Sequence, residues 1–333
     1  MKYPIQTIKI LGLFTFLVLM GCNSRQKSVS KAEVVATDSR GKEIRLPHVA
    51  QRIVVLYPSL VDVVYMLQAG DRLVGIPQQV YETEDTWRFL SALDDRIKNK
   101  SIPTPTYGGQ SGNVESIVGL KPDLVLTFNT DEDATTLLEN LGIPVFTFSS
   151  RDEKSILEEL THIARLLGKE ERADGITKYI KQEAEAMRST TIQSPKKAYY
   201  AWSKGRVMST SGKGSLIDMA IQLSGVQNAC PLPMENPNIS AETLYKWNPD
   251  LMVLWNSNAS DVYGLKELEA LPAVKNKQVF VMTPAFPFDP HTVKFLLFAK
   301  QVRHWAIPEY TQGQLNQDMA NAFEVLYGKK GLR

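Results

Sequence analysis

Cysteine and histidine are scarce in this sequence. Its 333 residues include only two cysteines, Cys22 and Cys230, and four histidines. Two cysteines cannot build a cysteine-based metal site, and four scattered histidines do not supply the cluster that a receptor for bare zinc or manganese requires. The composition therefore disfavours a protein that binds a free metal ion through its own side chains, and it predicts no resident cofactor.

The sequence also lacks several motifs that would indicate an enzyme or a nucleic-acid-binding protein. Neither G-x-S-x-G nor H-E-x-x-H occurs, and the SGKGS segment at residues 211–215 does not have the full spacing of a phosphate-binding loop. The 38 basic and 36 acidic residues nearly balance. No basic run with interleaved aromatic residues follows the N-terminal segment, so nucleic acid is not expected as a partner.

The N-terminal segment has the pattern of an export signal. Lys2 and Lys9 precede an apolar run at residues 10–20, which is too short to span a bilayer. The run ends in Leu-Met-Gly before Cys22 and resembles the lipobox of bacterial lipoproteins. This resemblance implies a signal peptide over residues 1–21, a lipidated Cys22 and a polar tether over residues 22–31, and hence an extracytoplasmic, membrane-anchored protein. The alternative is a general secretory signal with an incidental cysteine.

Residues 170–191 are predicted to form one long amphipathic helix near the middle of the mature chain. Gly168 is suited to end the preceding helix, and Pro195 prevents helix just beyond. Apolar residues recur at helical spacing on one face: Ile176, Tyr179, Ile180, Ala184 and Met187. The helix is interpreted either as a link between two lobes or as a connection inside one large α/β domain.

An internal repeat on the two sides of this helix favours two lobes. Residues 114–129 have the sequence VESIVGLKPDLVLTFN, and residues 241–256 have the sequence AETLYKWNPDLMVLWN. Aligning the Pro-Asp pairs also aligns Glu115 with Glu242 and Phe128 with Trp255, with no gap. Each copy is predicted to be a short helix, a turn and a buried strand that ends at an aromatic-Asn pair.

The order of several motifs along the mature chain resembles a known family. These motifs are RIV at residues 52–54, PS at 58–59, GDRLVG at 70–75 and the two Pro-Asp blocks. Together they are similar to the substrate-binding proteins of ABC importers for ferric siderophores, haem and cobalamin. The resemblance implies two Rossmann-like α/β lobes with mainly parallel sheets, joined by one long α-helix. The corresponding segments are an N-terminal lobe at 32–168, the linking helix at 169–192 and a C-terminal lobe at 193–333.

Ligands of open α/β sheets bind at the carboxyl ends of the strands, so residues at strand ends of both lobes are expected to form a cleft. His291 differs from the other histidines because it follows a predicted strand at that edge. Helix capping and surface exposure are the alternative roles. Lys204 and Arg206 are interpreted either as partners of an anionic ligand or as solvated charges. The candidate ligand-binding residues are Tyr57, Tyr107, Phe128, Trp202, Lys204, Trp255, Phe288 and His291.

Aromatic residues at strand ends suit a flat, largely apolar metal chelate. The expected ligand is an iron(III) complex, either a siderophore or haem, with cobalamin or a molybdate-type oxyanion as alternatives. A chelatase-like enzyme is the alternative from another functional class, because such enzymes also have two related α/β lobes. It would require a pocket histidine paired with an acid, and only His291 with Asp289 comes near.

The resemblance also implies a permease and its ATPase as partners. In the family an acidic residue on each lobe meets arginines of the permease. The matching positions are taken to be Asp62 and Glu242, both in the first turns of predicted helices. A carboxylate is favoured there by the helix dipole even without a partner, so local capping is the alternative role.

Overall fold

The computed structural model describes residues 33–105, 113–202 and 204–329, together with Met1. The described residues from 33 onward belong to one compact unit. Cys22 and the rest of the predicted signal peptide and tether beyond Met1 lie outside the described residues, and so does Tyr107. None of the described helices combines the length and the hydropathy that a bilayer span requires.

Two parallel sheets and one hairpin contain the described strands. In chain order the strands are β1 (Val34–Thr37), β2 (Glu43–Leu46), β3 (Ile53–Val55), β4 (Leu73–Gly75), β5 (Leu124–Phe128), β6 (Val145–Phe148), β7 (Lys197–Ala201), β8 (Gln227–Asn228), β9 (Leu251–Trp255) and β10 (Val279–Met282). Strands β1 and β2 pair antiparallel. The first sheet has the order β4-β3-β5-β6, and the second has the order β8-β7-β9-β10, with parallel pairing throughout both.

The two sheets have the same topology. When the strands are numbered by their order along the chain within a lobe, both sheets have the spatial order 2-1-3-4. Parallel neighbours require crossover connections, and helices lie between successive strands of both sheets along the chain. The prediction of two α/β lobes with mainly parallel sheets is therefore confirmed.

The repeated Pro-Asp pair makes the same hydrogen bonds in each lobe. The Asp123 carboxylate accepts a 2.9 Å hydrogen bond from the backbone N–H of Arg52, directly before β3. The Asp250 carboxylate accepts a 2.7 Å bond from the N–H of Lys197, at the start of β7. The aspartate thus ties the entry of the third strand to the entry of the first, which gives the repeat a structural cause.

The helices that surround the sheets follow in chain order. They are α1 (Pro58–Met66), α2 (Gln79–Glu82), α3 (Glu84–Ser91), α4 (Asp95–Lys98), α5 (Val114–Gly119), α6 (Glu132–Asn140), α7 (Glu153–Leu167), α8 (Glu170–Ser189), α9 (Leu216–Leu223), α10 (Ala241–Trp247), α11 (Ser260–Tyr263), α12 (Pro272–Lys275), α13 (Phe295–Ala306) and α14 (Gln312–Tyr327). A 3-10 turn at Phe286–Phe288 follows β10.

Helix α8 is the long connection between the lobes. It begins at Glu170, as the periodicity predicts, and ends at Ser189, two residues before the predicted end. The preceding helix α7 is capped by Gly168, which has a φ of 60° and tolerates this left-handed conformation because it has no Cβ. One face of α8 is buried through Ala173, Ile176, Ile180, Ala184 and Met187.

A single apolar core continues from one lobe into the other. It contains Leu60 and Phe146 of the first lobe, Ile180 of α8, and Ile217 and Phe298 of the second lobe. Burial of apolar surface is the main favourable contribution to folding and is proportional to the area removed from water. The shared core therefore stabilises the relative placement of the two lobes.

Candidate functional site

A cavity of about 540 Å³ lies where the carboxyl ends of both sheets face each other. Residues directly after β3, β5 and β6 line it from the first lobe, and residues at the ends of β7 and β9 line it from the second. Its aromatic lining residues are Tyr57, Phe128, Trp202, Trp255 and Phe286. This position is the one that the parallel-sheet topology favours for a ligand.

Four of these aromatic residues come from matching positions of the duplicated lobes. Tyr57 follows the first strand of its lobe, as Trp202 does in the second, while Phe128 and Trp255 end the two third strands. The rings of Tyr57 and Phe128 meet edge to face, with their centroids 4.9 Å apart. Burial, with a further effect of the Asp131 charge, raises the pKa of Tyr57 to about 12. The Tyr57 phenol therefore stays neutral at neutral pH.

His291 and Asp289 form a hydrogen-bonded pair on the cavity wall. Nδ1 of His291 lies 2.9 Å from Oδ1 of Asp289, and the same oxygen accepts the His291 backbone N–H. Burial opposes the charge on each group, but their mutual hydrogen bond and attraction outweigh it, raising the pKa of His291 and lowering that of Asp289. The contact uses Nδ1, so Nε2 has no partner among the described residues. This nitrogen is suited to coordinate a metal.

Asp85 joins the two lobes at the cavity. Its Oδ2 accepts hydrogen bonds from the backbone N–H groups of Ala285, at 2.8 Å, and Phe286, at 3.2 Å. Asp85 lies in the first turn of α3 in the first lobe, whereas Ala285 and Phe286 follow β10 of the second. All three residues line the cavity. One carboxylate of the first lobe therefore positions part of the second-lobe wall.

The structure brings together many of the residues that the sequence singles out. Tyr57, Phe128, Trp202, Trp255 and His291 all line the cavity. Their contact with a ligand stays a prediction. The same holds for Tyr107, which lies outside the described residues.

Two predicted ligand-binding residues lie elsewhere. Lys204 is exposed and stands in a tight turn, with a φ of 62°, between the bridge partners Trp202 and Arg206. Phe288 packs against the apolar core, whereas Phe286, two residues earlier in the same 3-10 turn, lines the cavity. The structure does not place Lys204 and Phe288 among the residues that line the cavity, and their contact with a ligand stays a prediction.

The predicted permease contact through Asp62 is wrong. Asp62 is 0% exposed, and its carboxylate lies 2.7 Å from the ammonium group of Lys294, which is equally buried. A permease cannot reach this carboxylate. Glu242 is different, because its side chain is 77% exposed in the first turn of α10, where it pairs with Lys246 at 2.9 Å. Its role in docking stays a prediction.

Sequence reasoning missed three charged residues of the cavity: Asp85, Arg151 and Glu235. Arg151 could have been predicted from the sequence, because it follows the strand β6 at the same sheet edge as Phe128. Asp85 and Glu235 lie far from any strand end, and no sequence pattern marks them. Among the described residues, no group of three or more histidine, cysteine or acidic side chains is arranged to hold a metal ion.

Comparisons with known proteins agree with this architecture. A family model described as periplasmic binding protein matches residues 53–285. An uncharacterized ABC transporter substrate-binding lipoprotein of Bacillus subtilis is 25% identical over 290 residues, which cover 82% of this chain and 88% of that protein. A cobalamin-binding protein of Halobacterium salinarum is 29% identical over 231 residues, which cover 66% of this chain and 58% of that protein.

A solved structure shows the same fold. Helicobacter pylori CeuE with Ni(II) bound is 22% identical and superposes with a TM-score of 0.74, over 90% of this chain and 97% of that one. This likeness concerns the fold alone.

Proposed function

Because this chain belongs to the periplasmic binding protein family, we propose that it captures a metal chelate between its lobes and delivers it to an ABC transporter permease. The observation that carries this proposal is the aromatic lining of the cavity, to which the duplicated strand ends contribute Tyr57, Phe128, Trp202 and Trp255. Aromatic rings supply large, rigid apolar surface that suits a flat macrocycle. The family supports a binding protein over the chelatase-like alternative.

The charges of the cavity favour a chelate of low net charge. Among the described lining residues, Asp85, Glu235 and Asp289 carry carboxylates, while Arg151 is the lone lysine or arginine and His291 supplies an imidazole. A polyanionic ferric complex would meet more negative than positive charge, which opposes binding. We therefore propose a corrinoid as the first ligand candidate. The name of the Halobacterium salinarum relative supports this choice.

A ferric siderophore or haem is the second candidate, and His291 favours it. The Nδ1 hydrogen bond to Asp289 fixes the imidazole, so Nε2 is the nitrogen left to coordinate iron. A carboxylate partner also makes a histidine ligand more basic. Iron of a porphyrin or of an incompletely coordinated siderophore would accept such a ligand.

Delivery to the permease is proposed to use Glu242 and its counterpart in the first lobe, Glu115. Both glutamates are exposed and occupy the second position of matching helices, α5 and α10. Both helices are capped by a side chain that accepts a backbone N–H, Asn113 in one lobe and Ser240 in the other. The duplication thus supplies the pair of surface carboxylates that Asp62 cannot supply.

The proposal includes a lipid anchor at Cys22 and an extracytoplasmic location. The lipobox-like sequence before Cys22 supports both, as does the lipoprotein name of the Bacillus subtilis relative. Labelled palmitate fed to expressing cells is expected to enter the wild-type protein and not the Cys22→Ala variant. Incorporation into the variant would contradict the anchor.

Binding of chelates that differ in charge tests the proposed function. Purified full-length protein is dialysed to equilibrium against cyanocobalamin, haemin, a ferric tris-catecholate and molybdate. We expect cyanocobalamin to be retained most tightly and the tris-catecholate least among the three chelates. Retention of molybdate alone would contradict a chelate ligand, and preference for the tris-catecholate would contradict the argument from charge.

A further inference from the structure

Arg151 stands on a loop that the protein holds rigidly against the cavity. The buried Glu159 accepts hydrogen bonds from the backbone N–H groups of Ser149, at 2.8 Å, and Ser150, at 3.2 Å, and from the Ser149 hydroxyl, at 2.6 Å. Ser150 has a φ of 45°, a left-handed conformation that is costly for a serine and is maintained by these bonds. The Arg151 N–H donates to Ser155 Oγ at 3.0 Å. The backbone that presents Arg151 is therefore fixed.

Arg151 is an exposed residue that lines the cavity, and its side chain has no interaction partner among the described residues. Asp152 is next to it but accepts the N–H of Ser155 as the cap of α7. An unpaired guanidinium on a fixed loop is suited to bind a carboxylate or a phosphate, because its planar donors match the oxygens of either group.

The N-terminus of α9 lies beside Arg151. Ser215 caps this helix, and both Ser215 and Arg151 line the cavity and also an adjoining groove. Leu216 and Ile217, the first two residues of α9, line the cavity as well. Their backbone N–H groups have no acceptor among the described residues. Free N–H groups and the helix dipole favour a negative group at this end.

Ser211, four residues before the cap Ser215, provides a second, independent sign of a ligand in the same cavity. It lines the cavity, is only 1% exposed, and its Oγ has no hydrogen-bond partner among the described residues. Its carbonyl is already used, since it accepts a 3.0 Å bond from Asn228. A buried hydroxyl without a partner costs free energy, so a ligand oxygen at this wall would satisfy it.

The nearby acid Asp218 is already engaged by two hydrogen-bond donors. It is buried in the first turn of α9, where its carboxylate accepts the N–H of Gly214 at 2.9 Å and the side-chain amide of Gln222 at 2.7 Å. The remaining cavity carboxylates make the wall unfavourable for several anionic groups at once. The arrangement therefore selects a ligand that carries one negative group at one position.

We propose that Arg151, the first N–H groups of α9 and Ser211 form an anion subsite, which binds one carboxylate or phosphate group of the captured chelate. The subsite rests on the proposed function in that it lies in the same cavity. The group would be the phosphodiester of a corrinoid nucleotide loop or a propionate of a porphyrin. Glu159 is a positioning residue that holds the Arg151 loop.

Matched chelates with and without the anionic group test the subsite. Cyanocobalamin is compared with dicyanocobinamide, which lacks the phosphodiester, and haemin with its dimethyl ester, which lacks both propionate charges. Removing a charge-assisted hydrogen bond costs about 1.5–3 kcal/mol, so Arg151→Gln is expected to weaken binding of the member that carries the anionic group about 10- to 150-fold. Binding of the member that lacks the anionic group, dicyanocobinamide or the dimethyl ester, should stay nearly unchanged. Whichever pair shows the difference identifies phosphate or carboxylate as the group.

Lys213→Gln is the matched control, because it removes a positive charge from the segment 211–215 at an exposed side chain that does not line the cavity. Its affinities should equal those of the wild type. Equal losses for both members of a pair in Arg151→Gln, or no loss for either, would overturn the subsite.

A second measurement separates the subsite from the proposed function. If the wild type binds none of the chelates, the proposed function fails, and inorganic phosphate then decides the subsite alone. We expect millimolar phosphate to shift the ¹⁵N–¹H resonances of Leu216 and Ile217 in the wild type and much less in Arg151→Gln. Resonances that do not move in the wild type would overturn the subsite.

Discussion

The carboxylate of Asp62 lies 2.7 Å from the ammonium group of Lys294, and neither side chain is exposed. Asp62 also accepts a 2.8 Å hydrogen bond from the hydroxyl of Tyr327, and Lys294 donates to the carbonyl of Phe286. These contacts join α1 of the first lobe to the start of α13, through Lys294, and to the end of α14, through Tyr327. The ion pair therefore connects the lobes directly behind the cavity wall that Phe286 forms.

Removal of one partner of this pair is expected to destabilise the protein strongly. Asp62→Ala leaves a buried ammonium group without its counter-charge, which costs about 3–5 kcal/mol of unfolding free energy. The double variant Asp62→Leu with Lys294→Met should recover much of this loss, because it buries apolar groups instead. Urea denaturation of the single and double variants measures both effects. A loss of less than about 1 kcal/mol in Asp62→Ala, the range of exposed pairs, would contradict the buried pair.

The two hydrogen bonds that Asp85 accepts from the second lobe can be tested by substitution of this residue. Asp85→Asn replaces charge-assisted hydrogen bonds by neutral ones, which are roughly half as strong. The backbone amides of Ala285 and Phe286 should then exchange with deuterium faster, and chelate affinity should fall. Glu84→Gln is the control, because this exposed neighbour bonds to Arg88 instead. Unchanged exchange at residues 285 and 286 in Asp85→Asn would show that the carboxylate does not hold the wall.

The pair of His291 and Asp289 should make stability depend on pH. The pKa of His291 is raised above 6.5, so its stabilising contribution is complete below 6.5 and is lost as the pH rises through the raised value. The pKa of Asp289 is lowered below 3.8, so its contribution is lost only as the pH falls through that lowered value. The ion pair therefore stabilises the fold mainly between these two pKa values.

Thermal unfolding of the wild type and His291→Gln at pH values on both sides of 6.5 measures this contribution. The unfolding temperature of the wild type should exceed that of His291→Gln by more below pH 6.5 than well above it. The Asp289→Asn substitution should remove this pH dependence. A difference that grows as the pH rises would contradict the assignment.

Charge reversal at the two matching glutamates tests delivery. Glu115→Lys with Glu242→Lys should reduce uptake by the reconstituted importer and leave chelate affinity nearly unchanged, because both residues are exposed and neither lines the cavity. Glu185→Lys, on the exposed face of the linking helix α8, is the control. Normal uptake with the folded double variant would contradict the docking role of Glu115 and Glu242.

The repeat made much of the fold predictable from the sequence. Each Pro-Asp pair follows a residue in the left-handed conformation, Lys121 with a φ of 49° and Asn248 with a φ of 47°. Such turns and the buried strands after them are fixed by residues that are close in the chain. Patterns of this local kind are visible in the sequence, as is the helical periodicity of α8.

The misplacement of Asp62 shows what the sequence could not reveal. The pattern places Asp62 near the start of a helix, but its burial depends on Lys294 and Tyr327, which are more than two hundred positions away. The contribution of Asp85 to the cavity depends in the same way on Ala285 and Phe286. Contacts between distant segments decide which charges are buried, and no single stretch of sequence encodes them.

Calorimetric titration with cyanocobalamin tests most directly whether a chelate binds between the lobes. Trp255 lines the cavity, whereas Trp305 stacks on Phe280, with ring centroids 5.1 Å apart, outside the lining. We predict one-to-one binding by the wild type and unchanged binding by Trp305→Leu. Binding by Trp255→Leu should be about two- to tenfold weaker, since aromatic contacts contribute about 0.5–1.5 kcal/mol beyond the buried area. Affinity equal to the wild type in a folded Trp255→Leu variant, or no binding by the folded wild type, would contradict the account.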